Sequence, residues 1–115
     1  MTKISTRQVD GVTILEPRGK LTIGVGDVAL RDAVHQALDG GARNLLVDMS
    51  NVTAMDSSSV GELVSAYTTV TNRGGKLKLL NLPAKVNDIL QITQLITVFE
   101  TYDDEDEAVR SFPGA

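Results

Sequence analysis

The segment Met55-Asp56-Ser57-Ser58-Ser59-Val60-Gly61-Glu62-Leu63 has the composition of a helix start. It follows the apolar run 45–47 and a short exit over 48–54, and it leads into an amphipathic stretch that reaches Asn72. Asp and Ser are favoured at helix starts because their side-chain oxygens accept hydrogen bonds from unpaired backbone N–H groups. Those N–H groups and the helix dipole also favour a negative charge, including a phosphate. A buried strand, a loop and a helix that opens on one acid and three hydroxyls are therefore predicted.

The N-terminal part of the chain predicts a β-hairpin. Two β-rich runs, 4–9 and 12–16, are separated by Asp10-Gly11, a dipeptide that tolerates the positive φ angles of a tight turn. Pro17 follows the second run and has no N–H to donate to a neighbouring strand. We therefore expect Pro17 at a sheet edge or at a strand end.

The rest of the chain predicts alternating helices and strands, after a loop over 19–26. Helical spacing of apolar residues and short continuous apolar runs distinguish the two kinds of segment. The predicted elements are a helix capped by Asp27 that ends at Gly40-Gly41, a strand over 45–47, a helix that reaches Asn72, a strand over 77–82, a helix that begins near Pro83, a strand over 96–99 and a short helix over 103–112. This order predicts a single α/β domain over residues 1–115, with a mixed sheet flanked by about four helices.

The composition limits the classes of function. Apolar residues make up 42% and charged residues 23%, as expected of a folded domain. A net charge of −4 without a Lys/Arg cluster disfavours direct nucleic-acid binding. The lack of cysteine excludes disulfides, thiol chemistry and cysteine-ligated metals. Residues 1–10 contain no apolar signal core, and no apolar run approaches the roughly 20 residues of a membrane helix. A cytoplasmic protein without membrane insertion is expected.

The chain resembles the STAS domain family, and within it the bacterial anti-sigma factor antagonists. The family motif, Asp-Ser-Ser/Thr-Gly-Leu-Gly after a strand, stands here as Asp56-Ser57-Ser58-Ser59-Val60-Gly61. Gly19-Lys20-Leu21 corresponds to a Gly-x-Leu after the family's second strand, and the segment 44–54 to the strand and loop before the motif. Arg73-Gly74-Gly75-Lys76-Leu77 corresponds to the family's exit from a helix into a strand. The similarity extends over nearly the whole chain.

The resemblance implies a protein that binds other proteins and has neither catalytic activity nor a cofactor of its own. The unphosphorylated form would bind an anti-sigma factor, which is often also a serine kinase, and would thereby free sigma. The kinase would phosphorylate the first Ser after the Asp, here Ser57, and a serine phosphatase would reset the released form. The resemblance implies partner contacts at Asp56, Ser57, Ser58, Ser59, Gly61, Leu21 and Thr22. It leaves the oligomeric state open.

Two residues depart from the family pattern, and both bear on which partner is bound. Ser59 replaces the motif Gly, and Thr22 stands where many members carry an acid. Ser58 and Ser59 are expected to be exposed residues of the first helical turn, not additional phosphorylation sites. Asp56 is expected either to cap the helix or to orient the Ser57 hydroxyl.

Two alternatives stay open. The first is a STAS scaffold in a stress-signalling assembly or a membrane lipid transporter, which would use the same helix face as a permanent interface with Ser57 unmodified. The second is a small nucleotide-binding module, because Gly24-Val25-Gly26-Asp27-Val28-Ala29 fits the Gly-x-Gly-x-x-Ala fingerprint and Asp48 lies near the distance of a ribose-binding acid. Against the second, the glycines do not directly follow a predicted strand, and 115 residues leave no substrate domain.

Overall fold

The computed structural model describes residues 3–22, 24 and 26–114. Within these residues, six β-strands, four α-helices and one 3₁₀ turn follow one another along the chain. They are β1 (Lys3–Val9), β2 (Val12–Leu21), α1 (Gly26–Asp39), β3 (Asn44–Asp48), β4 (Val52–Met55), α2 (Ser57–Asn72), β5 (Lys76–Leu80), α3 (Ala84–Ile92), the 3₁₀ turn (Leu95–Thr97), β6 (Thr101–Tyr102) and α4 (Glu105–Arg110).

The strands form one mixed six-stranded sheet. Its order is β1-β2-β3-β5-β6, and β4 pairs with the last residues of β2. The hairpin pair β1–β2 is antiparallel, and the other pairs are parallel. The predicted α/β fold with a mixed sheet and four helices is therefore confirmed.

The two faces of the sheet carry separate cores. Apolar residues of α1, α2 and α3 pack on one face, around strand residues such as Leu45 and Leu79. The short helix α4 packs on the other face against strand residues such as Ile14 and Leu46. Because both faces are covered, β3 is buried from Leu45 to Asp48, as a continuous apolar run predicts.

The predicted hairpin is confirmed, but Pro17 does not lie at an edge or a strand end. Asp10 and Gly11 have φ angles of 50° and 83° and form a two-residue turn. Pro17 lies inside β2, which pairs with β3 over Thr13–Leu15 and with β4 over Gly19–Leu21. The proline is tolerated because it falls between these two ladders, where β2 changes partners.

The predicted loop 19–26 is too long. Its first three residues extend β2, because β4 provides a partner strand for them. Its last residue, Gly26, begins α1. Asp27 is a residue of the first helical turn and not the N-cap, and its Oδ1 accepts hydrogen bonds from the backbone N–H groups of Gly24 and Val28.

Two strand predictions are also wrong. The exit 48–54 is not all loop, because it contains most of β4. Only Val52 of this strand is buried, so its apolar pattern is too short to indicate a strand from the sequence. Residues 96–99 are not a strand; the chain forms a 3₁₀ turn there, and the last strand is β6. Within this run Val98 is exposed, whereas Phe99 is buried against α2, with the rings of Phe99 and Tyr67 edge to face at a centroid distance of 5.4 Å.

Lys78 of β5 is a buried cation that attaches the end of α4 to the sheet. Lys78 is only 4% exposed, and its Nζ donates hydrogen bonds to the backbone oxygen and Oγ of Ser111 at 3.1 and 3.0 Å. Nζ also lies 3.3 Å from Glu100 Oε2 and 4.8 Å from the centroid of the Phe112 ring. The ammonium group therefore has several partners in a largely dry environment.

Lys78→Met is expected to lower the free energy of unfolding by about 2 kcal/mol, because Ser111 loses a charged donor while the apolar volume is nearly kept. Glu100→Gln is the matched control. The Glu100 side chain is 64% exposed, so we expect a change below about 0.5 kcal/mol. Urea titrations of both variants measure the difference. Equal effects would show that the ion pair, and not the contacts with Ser111, stabilises this end of α4.

Candidate functional site

The carboxyl ends of β2 and β4 lie side by side and define the candidate site. Leu21 pairs with Met55 in this parallel ladder. Thr22 directly follows β2, and Asp56 directly follows β4 and precedes α2. The structure therefore brings together the two sequence segments, 21–22 and 56–61, in which partner contacts are expected.

Asp56 is the N-cap of α2. Its backbone is extended, with φ −118° and ψ 179°, and its Oδ1 accepts a hydrogen bond from the backbone N–H of Ser59 at 3.0 Å. Its backbone oxygen accepts from the N–H of Val60 at 3.1 Å. The capping role expected of Asp56 is thus present, and the carboxylate fixes where the helix begins.

The three serines after Asp56 have different environments. Ser57 and Ser58 are exposed, but Ser59 is fully buried. The expectation that Ser59 is exposed is wrong, because it lies one turn before Leu63 on the inner face of α2. Its Oγ has no hydrogen-bond partner among the described residues. In this conformation the departure from the motif Gly changes the packing beneath the site, and not its exposed surface.

Leu21 is also fully buried, so its side chain supports the site from below and is not available to a partner in this conformation. Thr22 and Asp56 are half-buried. Gly61 is exposed, and a Cβ added there would meet nothing within 4 Å. We call the exposed and half-buried residues of the two segments the docking surface; they are Thr22, Asp56, Ser57, Ser58 and Gly61.

Helix α1 is held against both parts of the site. A Cβ on Gly26 would lie 2.6 Å from both Leu21 Cα and Lys20 O, so α1 begins in direct backbone contact with the end of β2. Further along, Arg31 Nε and Nη2 donate to the two carboxylate oxygens of Glu62 at 3.2 and 3.3 Å. The hydrogen bond with Glu62 raises the pKa of Arg31 above its ordinary value. The charged pair is 31 residues apart in sequence, so no local pattern predicts it.

The described residues of the dinucleotide fingerprint show no open phosphate cradle. A Cβ on Gly26 would meet the backbone of β2, so this glycine packs against the strand, and Val25 lies outside the described residues. Asp48 is 8% exposed, and its Oδ1 accepts a hydrogen bond from the backbone N–H of Ser50 at 3.0 Å. Its carboxylate is therefore occupied within its own loop and is not presented to a ribose.

Within the described part of the chain, no group of three or more His, Cys, Asp or Glu residues is placed to hold a metal ion. No helix in these residues is both long and apolar enough to cross a membrane.

Ser59→Ala is expected to raise the free energy of unfolding by about 1 kcal/mol. The substitution removes a buried hydroxyl without a partner, keeps the Cβ and improves helix propensity. Ser58→Ala, on the exposed side of the same turn, is the control and is expected to change stability by less than about 0.5 kcal/mol. Chemical denaturation tests both. A loss of stability in Ser59→Ala would mean that the hydroxyl has a hydrogen-bond partner in solution.

Comparison with known proteins identifies the family. The sequence profile of the STAS domain matches residues 3–108. A Thermotoga neapolitana protein, provisionally named as an anti-sigma factor antagonist, is 29% identical over 106 residues, which are 92% of this chain and 94% of that protein.

Solved structures agree with the profile match. The crystal structure of a Thermotoga maritima protein, also provisionally described as an anti-sigma factor antagonist, has a TM-score of 0.86 at 27% identity and covers 95% of this chain and 93% of its own. The phosphorylated form of the Bacillus cell fate determinant SpoIIAA shares the fold, with a TM-score of 0.72 at 19% identity and coverage of 95% and 98%. Because the profile match and both coverages extend over nearly the whole chain, the protein belongs to the STAS domain family.

Proposed function

We propose that the protein is an anti-sigma factor antagonist whose unphosphorylated form binds an anti-sigma factor with serine kinase activity. The observation that carries this proposal is the position of Ser57, an exposed hydroxyl at the first residue of a 16-residue helix, directly after the Asp56 cap. The names of the two Thermotoga relatives support the same function. Partner binding would withdraw the anti-sigma factor from sigma and so change transcription.

Phosphorylation of Ser57 is compatible with the folded protein. The hydroxyl is exposed, and a phosphate there would lie at the positive end of the α2 dipole, which favours a negative charge. The helix cap is a hydrogen bond from the backbone N–H of Ser59 to Asp56 Oδ1, and this bond can persist when the Ser57 hydroxyl carries a phosphate. We therefore expect the phosphorylated protein to keep its helix and its fold.

The same modification should oppose partner binding. Four of the five residues of the docking surface are uncharged, and Asp56 carries its one charge. A phosphate adds roughly −1.5 to −2 charge beside that carboxylate, so an interface formed over Ser57 would have to remove two neighbouring anions from water. Phosphorylation would release the partner, and a serine phosphatase would restore the binding form. The protein then acts as a kinase substrate, with no catalysis of its own.

The first experiment incubates the purified, tagged protein with lysate of its source organism and ATP, then measures its intact mass and identifies the proteins it retains. Ser57→Ala is treated in parallel. We expect one phosphate at Ser57 in the original protein and none in the variant, and we expect the unmodified form to retain a kinase-like anti-sigma factor. An unmodified Ser57 together with stable retention of a signalling or transporter assembly would overturn the proposal in favour of a scaffold.

A further inference from the structure

Strand β1 presents a free edge of the sheet. Within the part of the chain that the structure describes, β1 pairs with β2 on one side and with no strand on the other. Its seven residues pair with β2 in a continuous register from Lys3 to Val9, without a bulge. An edge of this length offers a row of backbone donors and acceptors to another strand.

The turn geometry shows which backbone groups of β1 point away from β2. In a two-residue turn the residues on either side, Val9 and Val12, form a hydrogen-bonded pair. Hydrogen-bonded and non-hydrogen-bonded pairs alternate in an antiparallel ladder, so the odd-numbered residues of β1 bond to β2. Ile4 lies opposite Pro17, which has no N–H to donate. This agrees with the alternation, in which Ile4 forms no hydrogen bond with β2. The backbone groups of Ile4, Thr6 and Gln8 therefore point outward.

Apart from Lys3 at its first residue, the edge lacks the usual protection against strand addition. Proteins commonly guard edges with proline, bulges or free charged side chains. β1 has no proline, and its one arginine is held on the α4 face of the sheet. Arg7 Nε lies 3.2 Å from Glu16 Oε1, and the Arg7 guanidinium also binds the Glu105 carboxylate. Arg7 is therefore not free to extend from the edge and repel an incoming strand.

Space is available beside the edge. An open groove of about 740 Å³ lies between β1 and the second half of α1. The groove is lined by Ile4, Thr6 and Gln8 of β1, together with Gln36 and Ala37 of α1. Thr6 and Gln8 are exposed there. The face of β1 beside an added strand is therefore accessible at Thr6 and Gln8.

We propose that a second copy of this chain occupies the edge, by antiparallel pairing of β1 with β1 centred on Thr6. This register pairs Thr6 with Thr6 and Ile4 with Gln8, so the outward backbone groups of both copies face each other. Arg7 lies opposite Ser5, so no like charges are directly opposite each other. The two Arg7 residues are diagonal neighbours, and each guanidinium is bound by Glu16 and Glu105 of its own copy. Although the chain has a net charge of −4, β1 contains two cations and no acid, so two copies meet here without acids in contact.

The resulting dimer has two-fold symmetry and a continuous sheet through both copies. None of the docking-surface residues belongs to β1, so each copy would keep its own Ser57 site. The two copies repel each other through their net charge, and added salt screens that repulsion. The dimer should therefore be favoured by moderate salt as well as by concentration.

Cysteine cross-linking tests the register directly, because the chain contains no cysteine. In the proposed pairing the two Thr6 Cα atoms lie about 5.5 Å apart, which is within the range for a disulfide. The two Gln8 Cα atoms are roughly 14 Å apart, too far for one. We expect mild oxidation to convert most of Thr6→Cys to a covalent dimer and to leave Gln8→Cys, a variant at another exposed site on the same strand, largely monomeric.

Sedimentation of the protein without substitutions provides the second measurement. We expect its mass to rise toward twice the monomer value as concentration increases, and Thr6→Lys, which would place two cations face to face, to remain monomeric with unchanged helix content. A monomer at all concentrations in moderate salt would overturn the proposal. Equal cross-linking of the two cysteine variants would also overturn it, because it would indicate random collisions and not a defined register.

Discussion

Ser57→Asp is expected to weaken binding to the anti-sigma factor at least about tenfold, without unfolding the protein. A loss of 1.4 kcal/mol corresponds to a tenfold change in affinity, and like charges brought together at an interface cost more than this. The new carboxylate would stand directly beside Asp56, whose own carboxylate is held in place as the helix cap. Titration calorimetry with the purified partner measures the effect.

The neutral variants separate charge from size. Ser57→Asn has nearly the shape of Ser57→Asp without its charge, and we expect it to lose much less affinity. Ser57→Ala should bind like the original protein. Because the dipole of α2 favours an acid at its first residue, Ser57→Asp should be as stable as the original protein or slightly more stable. Equal affinities of the Asp and Asn variants would contradict the proposed switch, even if Ser57 is phosphorylated.

The sequence predicts the parts of the site that depend on local chemistry. The start of α2 follows from one acid and three hydroxyls before an apolar stripe, and the structure has Asp56 as the cap. The turn at Asp10-Gly11 follows from the positive φ angles that this pair tolerates. In both cases the side chains and the backbone groups they serve lie within a few residues of each other.

The features that the sequence does not predict depend on contacts between distant segments. Pro17 lies inside a strand because β3 ends its pairing with β2 just where β4 begins to pair. Ser59 is buried because the inner face of α2 includes its first turn, whereas the serine run itself suggests exposure. Phe99 packs on Tyr67 of α2 and so does not continue a strand. Single-sequence periodicity contains no information about these neighbours.

Gly26→Ala is expected to lower the free energy of unfolding by about 3 kcal/mol and to weaken partner binding as well. The added methyl group would lie 2.6 Å from two backbone atoms of β2, and backbone cannot rotate away as a side chain could. Relief of the clash must shift α1 or the end of β2. Since Leu21 of β2 pairs with Met55, the residue before Asp56, a shift of β2 is transmitted to the docking surface.

Gly61→Ala is the matched control for the stability effect, because its added methyl group would enter open space on the exposed face of α2. A helical Gly is about 0.8–1.0 kcal/mol less favourable than Ala, so this variant should be more stable than the original protein. If it nevertheless binds the anti-sigma factor more weakly, stability cannot explain the loss, and Gly61 must be a position where the partner approaches the helix closely. If Gly61→Ala gains stability and binds normally, the partner contact at Gly61 is refuted, and any weaker binding by Gly26→Ala must arise from the displaced end of β2.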